Sequence, residues 1–278
     1  MRRLTLLLLL LLGLLSFARQ ALAAEDEAWT SLPVGEAARQ AVRRGEPLVV
    51  QVVVPLCDDA QIACGGHGLG SPRNLKSNLY WGALYGAKRF FSRKGSGYEA
   101  VEESTPEGLL ERAVFRRRVA GARWGRRGEV EVLVVLDAID GARIDDAIDR
   151  FASTATGGGT VTLRDGRKLA VHAVGYAGHN RLMDGKKLPP PASAGKPLPS
   201  FVFACLSERF FAEPLRAAGA QPLVLTRAFM APEGYVVEAM VRSLGENRSR
   251  EEARARVVAA YAKWQKLSVT SASRLFAP

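Results

Sequence analysis

Residues 48–56 read LVVQVVVPL, an almost continuous apolar run with no alternation of apolar and polar positions. A strand that is buried on both faces shows this pattern, because helices cover both sides of a parallel sheet. We therefore predict that this run forms a central strand of a mostly parallel sheet.

Outward from this strand, short apolar runs alternate with amphipathic segments. Further core strands are predicted at Glu129–Leu136, Lys168–Tyr176, Phe201–Ala204 and Gln221–Thr226, and Thr160–Arg164 is predicted to pair with Lys168–Tyr176 across the turn Asp165-Gly166. Helices are predicted at Asn78–Phe91, Ile144–Ser153, Arg209–Ala218 and Ser249–Leu267. Five core strands with interleaved helices are typical of an α/β three-layer sandwich with a mostly parallel central sheet.

The N-terminus has the features of a cleaved secretory signal peptide. Arg2 and Arg3 precede the apolar stretch Leu4–Leu15, and Ala21-Leu22-Ala23 supplies small residues for a signal peptidase. The apolar core has about 12 residues, whereas a transmembrane helix needs roughly 20. We expect cleavage after Ala23 and a periplasmic or secreted protein; the alternative is an uncleaved membrane anchor.

Residues 24–278 are expected to form one α/β domain, with a Pro- and Lys-rich surface loop at Lys187–Pro199. No later stretch is apolar enough to predict a transmembrane segment. The formal net charge is +11, but the cations are scattered without the interleaved aromatic rings of a single-strand platform, so no nucleic-acid partner is expected. The chain lacks a Gly-x-Ser-x-Gly elbow and phosphate-binding glycine loops, so no cofactor is predicted.

The three cysteines cannot all pair in an oxidising compartment. Cys57 and Cys64, seven residues apart after the first strand, are candidates for a disulfide, which would leave Cys205 as the odd thiol. The alternative pairing of Cys57 with Cys205 would abolish any nucleophile.

Two predicted strands end at residues that carry chemistry. Lys168–Tyr176 leads to His179, and Phe201–Ala204 leads directly to Cys205. If these strands are adjacent and parallel, the imidazole and the thiol lie close together at one edge of the sheet. A thiol beside an imidazole forms a dyad for nucleophilic catalysis. The alternative is a buried structural cysteine and a structural strand-end histidine.

The pairs Gly178-His179 and Ala204-Cys205, each after an apolar strand, resemble the motifs of the cysteine peptidases that include caspases, legumain and gingipain. The resemblance implies a caspase-like sandwich, whereas the strand and helix pattern alone also allows a Rossmann-like one. It further implies a protein or peptide substrate. It also implies that His179 is the general base and acid, that Cys205 is the nucleophile, and that backbone N–H groups near Gly178 and Cys205 form an oxyanion hole.

Other polar residues follow predicted strands at the same edge. Candidates for a substrate pocket are Asp58, Asp137, Asp184 and Arg227. The carboxylates would suit a Lys or Arg side chain of a substrate. In the alternatives, Asp58 and Asp137 hold a divalent metal, or they cap loops; a metal is not part of the leading prediction. The runner-up for function is a non-enzymatic envelope protein that binds a partner or a small ligand at this edge.

Overall fold

The structure is a computed structural model that describes residues 34–191 and 195–278. The expected signal peptide, residues 1–23, and residues 192–194 of the Lys187–Pro199 loop lie outside the described residues. Over the two described ranges, none of the helices has the length and apolarity needed to cross a bilayer.

A seven-stranded sheet forms the middle layer. Its strands are β1 (Leu48–Pro55), β2 (Glu99–Ser104), β3 (Glu111–Ala120), β4 (Glu129–Ile139), β7 (Ala173–Ala177), β8 (Pro199–Phe203) and β9 (Gln221–Val224); β5 (Thr160–Thr162) and β6 (Lys168–Ala170) form a separate hairpin. The order across the sheet is β2-β3-β4-β1-β7-β8-β9. Five neighbouring strands, β4, β1, β7, β8 and β9, pair in parallel, and β2 and β3 add an antiparallel extension at one edge.

Helices cover both faces of this sheet. They are α1 (Glu36–Arg44), α2 (Ala87–Ser92), α3 (Ile144–Gly157), α4 (Ser207–Ala217), α5 (Gly234–Gly245), α6 (Arg250–Trp264) and α7 (Val269–Ser273). Residues of α1, α2, α5, α6 and α7 pack into one core with the sheet. Residues of α3 and α4 form the core on the other face, where the β5–β6 hairpin also packs. The chain is therefore an α/β three-layer sandwich with a mostly parallel sheet.

The prediction of a central buried strand is confirmed. All eight residues of β1 are buried, and β1 pairs in parallel with β4 on one side and with β7 on the other. Val52 and Val53 contribute to opposite cores, so both faces of the strand need apolar side chains, which is why the run does not alternate.

The predicted helix Asn78–Phe91 is wrong over most of its length, because only α2 is helical there. The buried Asn78 side chain accepts a hydrogen bond from Cys57 N–H at 2.9 Å and donates one to the Cys57 carbonyl at 2.8 Å. A Cβ at Gly82 would lie 2.1 Å from the carbonyl oxygen of Leu75. The segment before α2 therefore folds as turns that pack against the loop after β1.

The predicted strand Lys168–Tyr176 is divided into two. β6 pairs with β5 in the hairpin, whereas β7 pairs with β1 in the main sheet. Between them, His172 makes two hydrogen bonds with the backbone of Val49. The ring Nδ1 accepts the Val49 N–H at 3.0 Å, and the backbone N–H of His172 donates to the Val49 carbonyl at 2.9 Å. These bonds hold the chain where it leaves the hairpin and enters the sheet.

Candidate active site

His179 and Cys205 come from neighbouring strand ends. β7 and β8 are adjacent and parallel, with Ala177 opposite Phe203 in the register, so that expectation is confirmed. The ladder continues one step further, because Gly178 N–H donates to the Phe203 carbonyl at 3.1 Å. Since His179 and Cys205 each lie two residues beyond the last paired residues, they leave the sheet side by side.

Both side chains line one cleft of about 350 Å³, which we call the β7–β8 cleft. Its lining consists of Ile62, Tyr80, Gly178, His179, Met183, Asp184, Cys205, Phe229, Met230 and Pro232. Most of these residues present apolar surface, and the thiol, the imidazole and one carboxylate are the reactive groups among them. A mostly apolar concave surface with a few convergent polar groups is the usual form of a ligand site.

The imidazole is held on one side by a carboxylate. His179 Nε2 lies 2.7 Å from Asp184 Oδ2, and the His179 side chain is only 11% exposed. The Tyr176 hydroxyl donates to the His179 carbonyl at 2.7 Å and fixes the backbone there. Asp184 Oδ2 also lies 3.5 Å from Arg181 Nη1. With Nε2 engaged, Nδ1 is the ring nitrogen left for proton transfer with a substrate or a thiol.

The Cys205 thiol is partly exposed and unpaired. Its Sγ donates to the Met230 carbonyl at 3.7 Å, a long and weak hydrogen bond. The Cys205 carbonyl accepts from Asn180 Nδ2 at 2.6 Å, which ties the two strand ends together. Among the described residues, no hydrogen bond uses the backbone N–H of Cys205, so this donor is available for an oxyanion.

The chain turns sharply after the thiol. Leu206 has a φ of 53°, in the left-handed region that a branched side chain disfavours, and its N–H donates to the Ala228 carbonyl at 3.1 Å. α4 begins at the next residue, so the thiol lies immediately before the N-terminus of a helix. Strained backbone of this kind is often found at functional sites.

Two buried hydroxyls hold that turn. Ser207 Oγ donates to the Val202 carbonyl at 2.8 Å and lies 2.9 Å from Thr226 Oγ1. Thr226 N–H donates to Ser207 Oγ at 2.8 Å, and Thr226 Oγ1 donates to the Ala204 carbonyl. The network joins the end of β8, the start of α4 and the end of β9. It therefore fixes the backbone on both sides of Cys205.

Tyr80 contributes a phenol to the wall of the β7–β8 cleft. Burial raises the pKa of Tyr80 well above its usual value, and negative charge on Cys205 and on Glu233 adds to the effect. The phenol therefore stays neutral at physiological pH and repels no anion in the cleft.

Gly178 lines the cleft, but its N–H is occupied by the ladder bond to Phe203. It is therefore not free to bind an oxyanion, which corrects the role expected from the sequence. Asp184 lines the β7–β8 cleft, and its carboxylate also contacts the imidazole and Arg181.

Three other predicted pocket residues lie elsewhere. Asp58 is buried and accepts the Ala60 N–H at 2.9 Å, which is the loop-capping role that the sequence left open. Asp137 is fully buried in the sheet, paired with Arg112 at 2.6 Å. Arg227 pairs with Glu208 at 2.6 Å on the exposed surface. Their partners satisfy them locally, so none of the three belongs to the β7–β8 cleft.

Cys57 and Cys64 are joined by a disulfide, and Cys205 is a free thiol. Over residues 34–191 and 195–278, no three His, Cys, Asp or Glu side chains cluster in a way that would hold a metal ion. The Asp58 and Asp137 carboxylates are used separately, as described above.

The sequence pointed to His179, Cys205, Gly178 and Asp184, which all line the cleft, but not to its other lining residues. Tyr80, Phe229 and Met230 come from irregular segments without a recognisable pattern. Asp184 follows His179 by five residues, and the short turn Arg181–Asp184, capped by the Asn180 side chain, brings it back to the ring. A polar cap followed closely by an acidic residue is the one sequence signal that was present.

A second depression, of about 610 Å³, is also lined in part by Asp184. It is lined by Ala60, Gln61, Ala142, Arg143, Ile144, Asp145, Asp146, Arg181 and Asp184. Its charges are largely paired with one another, since Arg181 contacts Asp145 at 3.1 Å and Arg143 contacts Asp146. It holds no thiol or imidazole, so we place the reactive centre in the β7–β8 cleft.

A scan against protein-family models finds no match for this chain, and searches of curated proteins and of solved structures likewise find none, so the site has to be interpreted from its own geometry.

Proposed function

We propose that this chain is a cysteine endopeptidase with Cys205 as nucleophile and His179 as general base and acid. One observation carries the proposal: the thiol and a carboxylate-held imidazole leave adjacent parallel strands and line the same cleft. Adjacent parallel strands ending in these residues are also what the resemblance to the caspase, legumain and gingipain group implies, and that kinship is part of the proposal.

In the proposed reaction, Cys205 Sγ passes its proton to His179 and attacks the peptide carbonyl carbon. The carbonyl oxygen becomes an oxyanion, for which the free Cys205 N–H is a donor. Collapse of the intermediate breaks the C–N bond, and the imidazolium gives its proton to the leaving amine. Water then attacks the acyl-enzyme with His179 as base, which releases the acid and restores the thiol.

The test is cleavage of a mixed peptide library by residues 24–278 and by three variants. We expect Cys205→Ala and His179→Ala to lose about 1,000-fold or more in kcat/KM, because each removes a group that acts on the reacting atoms. Thr160→Val, an exposed change in the β5–β6 hairpin, is the matched control and should cleave like the wild type. Equal cleavage by wild type and Cys205→Ala would refute the proposal.

A second candidate is a non-enzymatic envelope protein that binds a ligand in the β7–β8 cleft. One observation favours it: in the structure the thiol donates to the Met230 carbonyl and the imidazole contacts Asp184, so each group has a structural partner. Native iodoacetamide labelling separates the two functions. Rapid alkylation of Cys205 near neutral pH supports a nucleophile, whereas a thiol that reacts no faster than a free cysteine peptide supports the binding protein.

We also propose that the protein acts outside the cytoplasm, on the strength of the N-terminal pattern and of the Cys57–Cys64 disulfide. Expression of the full chain in a bacterial host, followed by intact-mass measurement of the periplasmic fraction, tests this. We expect a protein that starts at Ala24. A full-length mass in the membrane fraction would support the uncleaved anchor instead.

A further inference from the structure

We infer that the β7–β8 cleft binds an apolar side chain of the substrate, the one carried by the residue on the acyl side of the bond that is cut. This inference rests on the proposed function, since it names the substrate class of the same site. It replaces the expectation, drawn from the acidic residues near the strand ends, of a Lys or Arg side chain at this position.

The lining of the cleft next to the thiol is mostly apolar. Apolar surface comes from four separate segments of the chain: Ile62 from the loop after β1, Tyr80 from the turns before α2, Met183 from the turn after β7, and Phe229 with Met230 and Pro232 from the loop after β9. Removing apolar surface from water is the main source of affinity that such a wall offers.

The one carboxylate that lines the cleft already has partners. Asp184 is engaged by His179 Nε2 at 2.7 Å and by Arg181 Nη1 at 3.5 Å. Both contacts use Oδ2, and the Arg181 guanidinium already balances the negative charge of this carboxylate, which reduces the attraction that it offers to a Lys or Arg side chain. Asp58 and Asp137, which were expected to help, lie in their own local contacts outside the cleft.

An exposed aromatic ring lies at the cleft. Phe229 is 69% exposed although it is a large aromatic residue, and it lies in the same loop whose Met230 carbonyl accepts from the thiol. An exposed ring beside a reactive group is well placed to cover an apolar ligand, and its burial on binding would add affinity. Scattered exposed apolar residues are ordinary elsewhere, but this ring belongs to the cleft lining.

The test measures alkylation of Cys205, so it does not depend on peptidase turnover. Two chloroacetamides of equal intrinsic reactivity are compared, one with a phenylethyl group and one with an aminopentyl group. Peptide mapping gives each rate at Cys205, and the rate with glutathione normalises it. We expect the phenylethyl reagent to react about 10-fold faster or more, because the cleft holds its ring beside Sγ.

Two variants form the matched pair. Met183→Glu places a carboxylate in the cleft and should reduce the ratio of the two rates to about 1 or reverse it. Leu84→Glu makes the same kind of change at an apolar residue that is 69% exposed and does not line the cleft, and it should keep the wild-type ratio. Equal rates in the wild type, or a faster cationic reagent, would overturn the inference.

Peptide cleavage then tests the peptidase activity and the apolar specificity separately. Cleavage that needs Cys205 but follows Lys or Arg would overturn the apolar specificity and leave the peptidase standing. An alkylation preference for the apolar reagent, without any cleavage by the wild type, would keep an apolar site beside a thiol and remove the peptidase. Cleavage after Leu, Met or Phe, with the alkylation preference, supports both.

Discussion

At the residue scale, the two nitrogens of His179 have different surroundings. Nε2 is bound by Asp184 in a nearly buried setting, and Nδ1 is left for the chemistry. Asp184 itself touches no reacting atom, so it is a positioning residue that keeps the ring in one orientation and one tautomer.

For Asp184→Asn we expect kcat to fall about 10-fold or more, with KM nearly unchanged, because the amide offers the ring a weaker and differently oriented partner. The Asp184 side chain is partly exposed, so water replaces part of the lost contact and the effect should stay below that of His179→Ala. Steady-state kinetics on the best library peptide measures the split between kcat and KM.

Asp149→Asn is the matched control for this prediction. Asp149 also pairs with a basic residue, Lys186 at 2.9 Å, but it does not line the cleft, so its kinetics should equal those of the wild type. If both variants lose the same activity, or if Asp184→Asn raises only KM, Asp184 does not position the catalytic ring.

His172 is a buried imidazole with a structural role, and its pKa is lowered chiefly by burial. Its Nδ1 accepts a hydrogen bond from Val49 N–H, so protonation removes this acceptor. Below its ordinary pKa near 6.5 the unfolded chain binds the proton and the folded chain resists it. The stabilising contribution is therefore complete above about pH 6.5 and falls as the pH is lowered towards the folded pKa.

We expect the wild-type Tm to fall between pH 7.5 and 5.5, and His172→Gln to show a flatter profile over this range, in thermal unfolding followed by circular dichroism. Carboxylates in ion pairs change the free energy of unfolding over a lower pH range. Burial raises the pKa of Glu246, but hydrogen bonds to Arg256 and Arg248 outweigh this effect and lower the pKa to about 2. The stability that this carboxylate contributes is therefore lost only below about pH 4.5. Identical slopes in both proteins above pH 5.5 would count against His172.

At the element scale, the junction of β8 with α4 places the thiol. Thr226→Val keeps the shape of the side chain but removes the hydroxyl, which takes an acceptor from the Ser207 N–H and a donor from the Ala204 carbonyl in a fully buried site. In the part of the chain that the structure describes, these two groups are then left only with the long hydrogen bond of 3.3 Å between them. We expect a loss of about 1–3 kcal/mol in the free energy of unfolding, measured by urea denaturation. Thr160→Val, the same replacement at an exposed position, should be nearly neutral.

If Thr226→Val unfolds at the same urea concentration as Thr160→Val, the hydroxyl network contributes little to the free energy of unfolding. If Thr226→Val is destabilised but Cys205 alkylates at the wild-type rate, the hydroxyls stabilise the fold without setting the position of the thiol.

The sequence predicted those elements whose pattern follows directly from burial. β1 was recognisable because both of its faces are covered, and β7 and β8 because all of their residues are buried. β2 and β3 were missed, since charged residues such as Glu99 and Arg116 pair across the exposed edge and mask the strand pattern. α5 was missed because nearly all of its residues are buried, which leaves it without a polar face.

The same contrast holds for the site. His179 and Cys205 were accessible from sequence because strand ends carry them, whereas the partner of the imidazole depends on the three-dimensional course of one short turn. The occupied N–H of Gly178 depends on how far the ladder between β7 and β8 continues. Neither property has a local sequence pattern.

At the scale of the whole molecule, the antiparallel extension must stay attached to the parallel sheet. Arg112 of β3 binds Asp137 of β4 through two hydrogen bonds, of 2.6 and 2.8 Å, and Gln51 of β1 donates to the same carboxylate at 2.7 Å. Three neighbouring strands are thus joined by one fully buried charge.

A double-mutant cycle on Arg112→Met and Asp137→Leu tests this connection. Each single variant leaves one uncompensated buried charge, so we expect each to lose about 3–5 kcal/mol in the free energy of unfolding, and the double variant to lose much less than the sum. The pair Arg116 and Glu99 joins β3 to β2 at 2.7 Å on the exposed edge, and Arg116→Met with Glu99→Leu should show little coupling, because water and salt screen it. If the buried pair couples no more strongly than the exposed one, then backbone ladders alone hold the extension to the core.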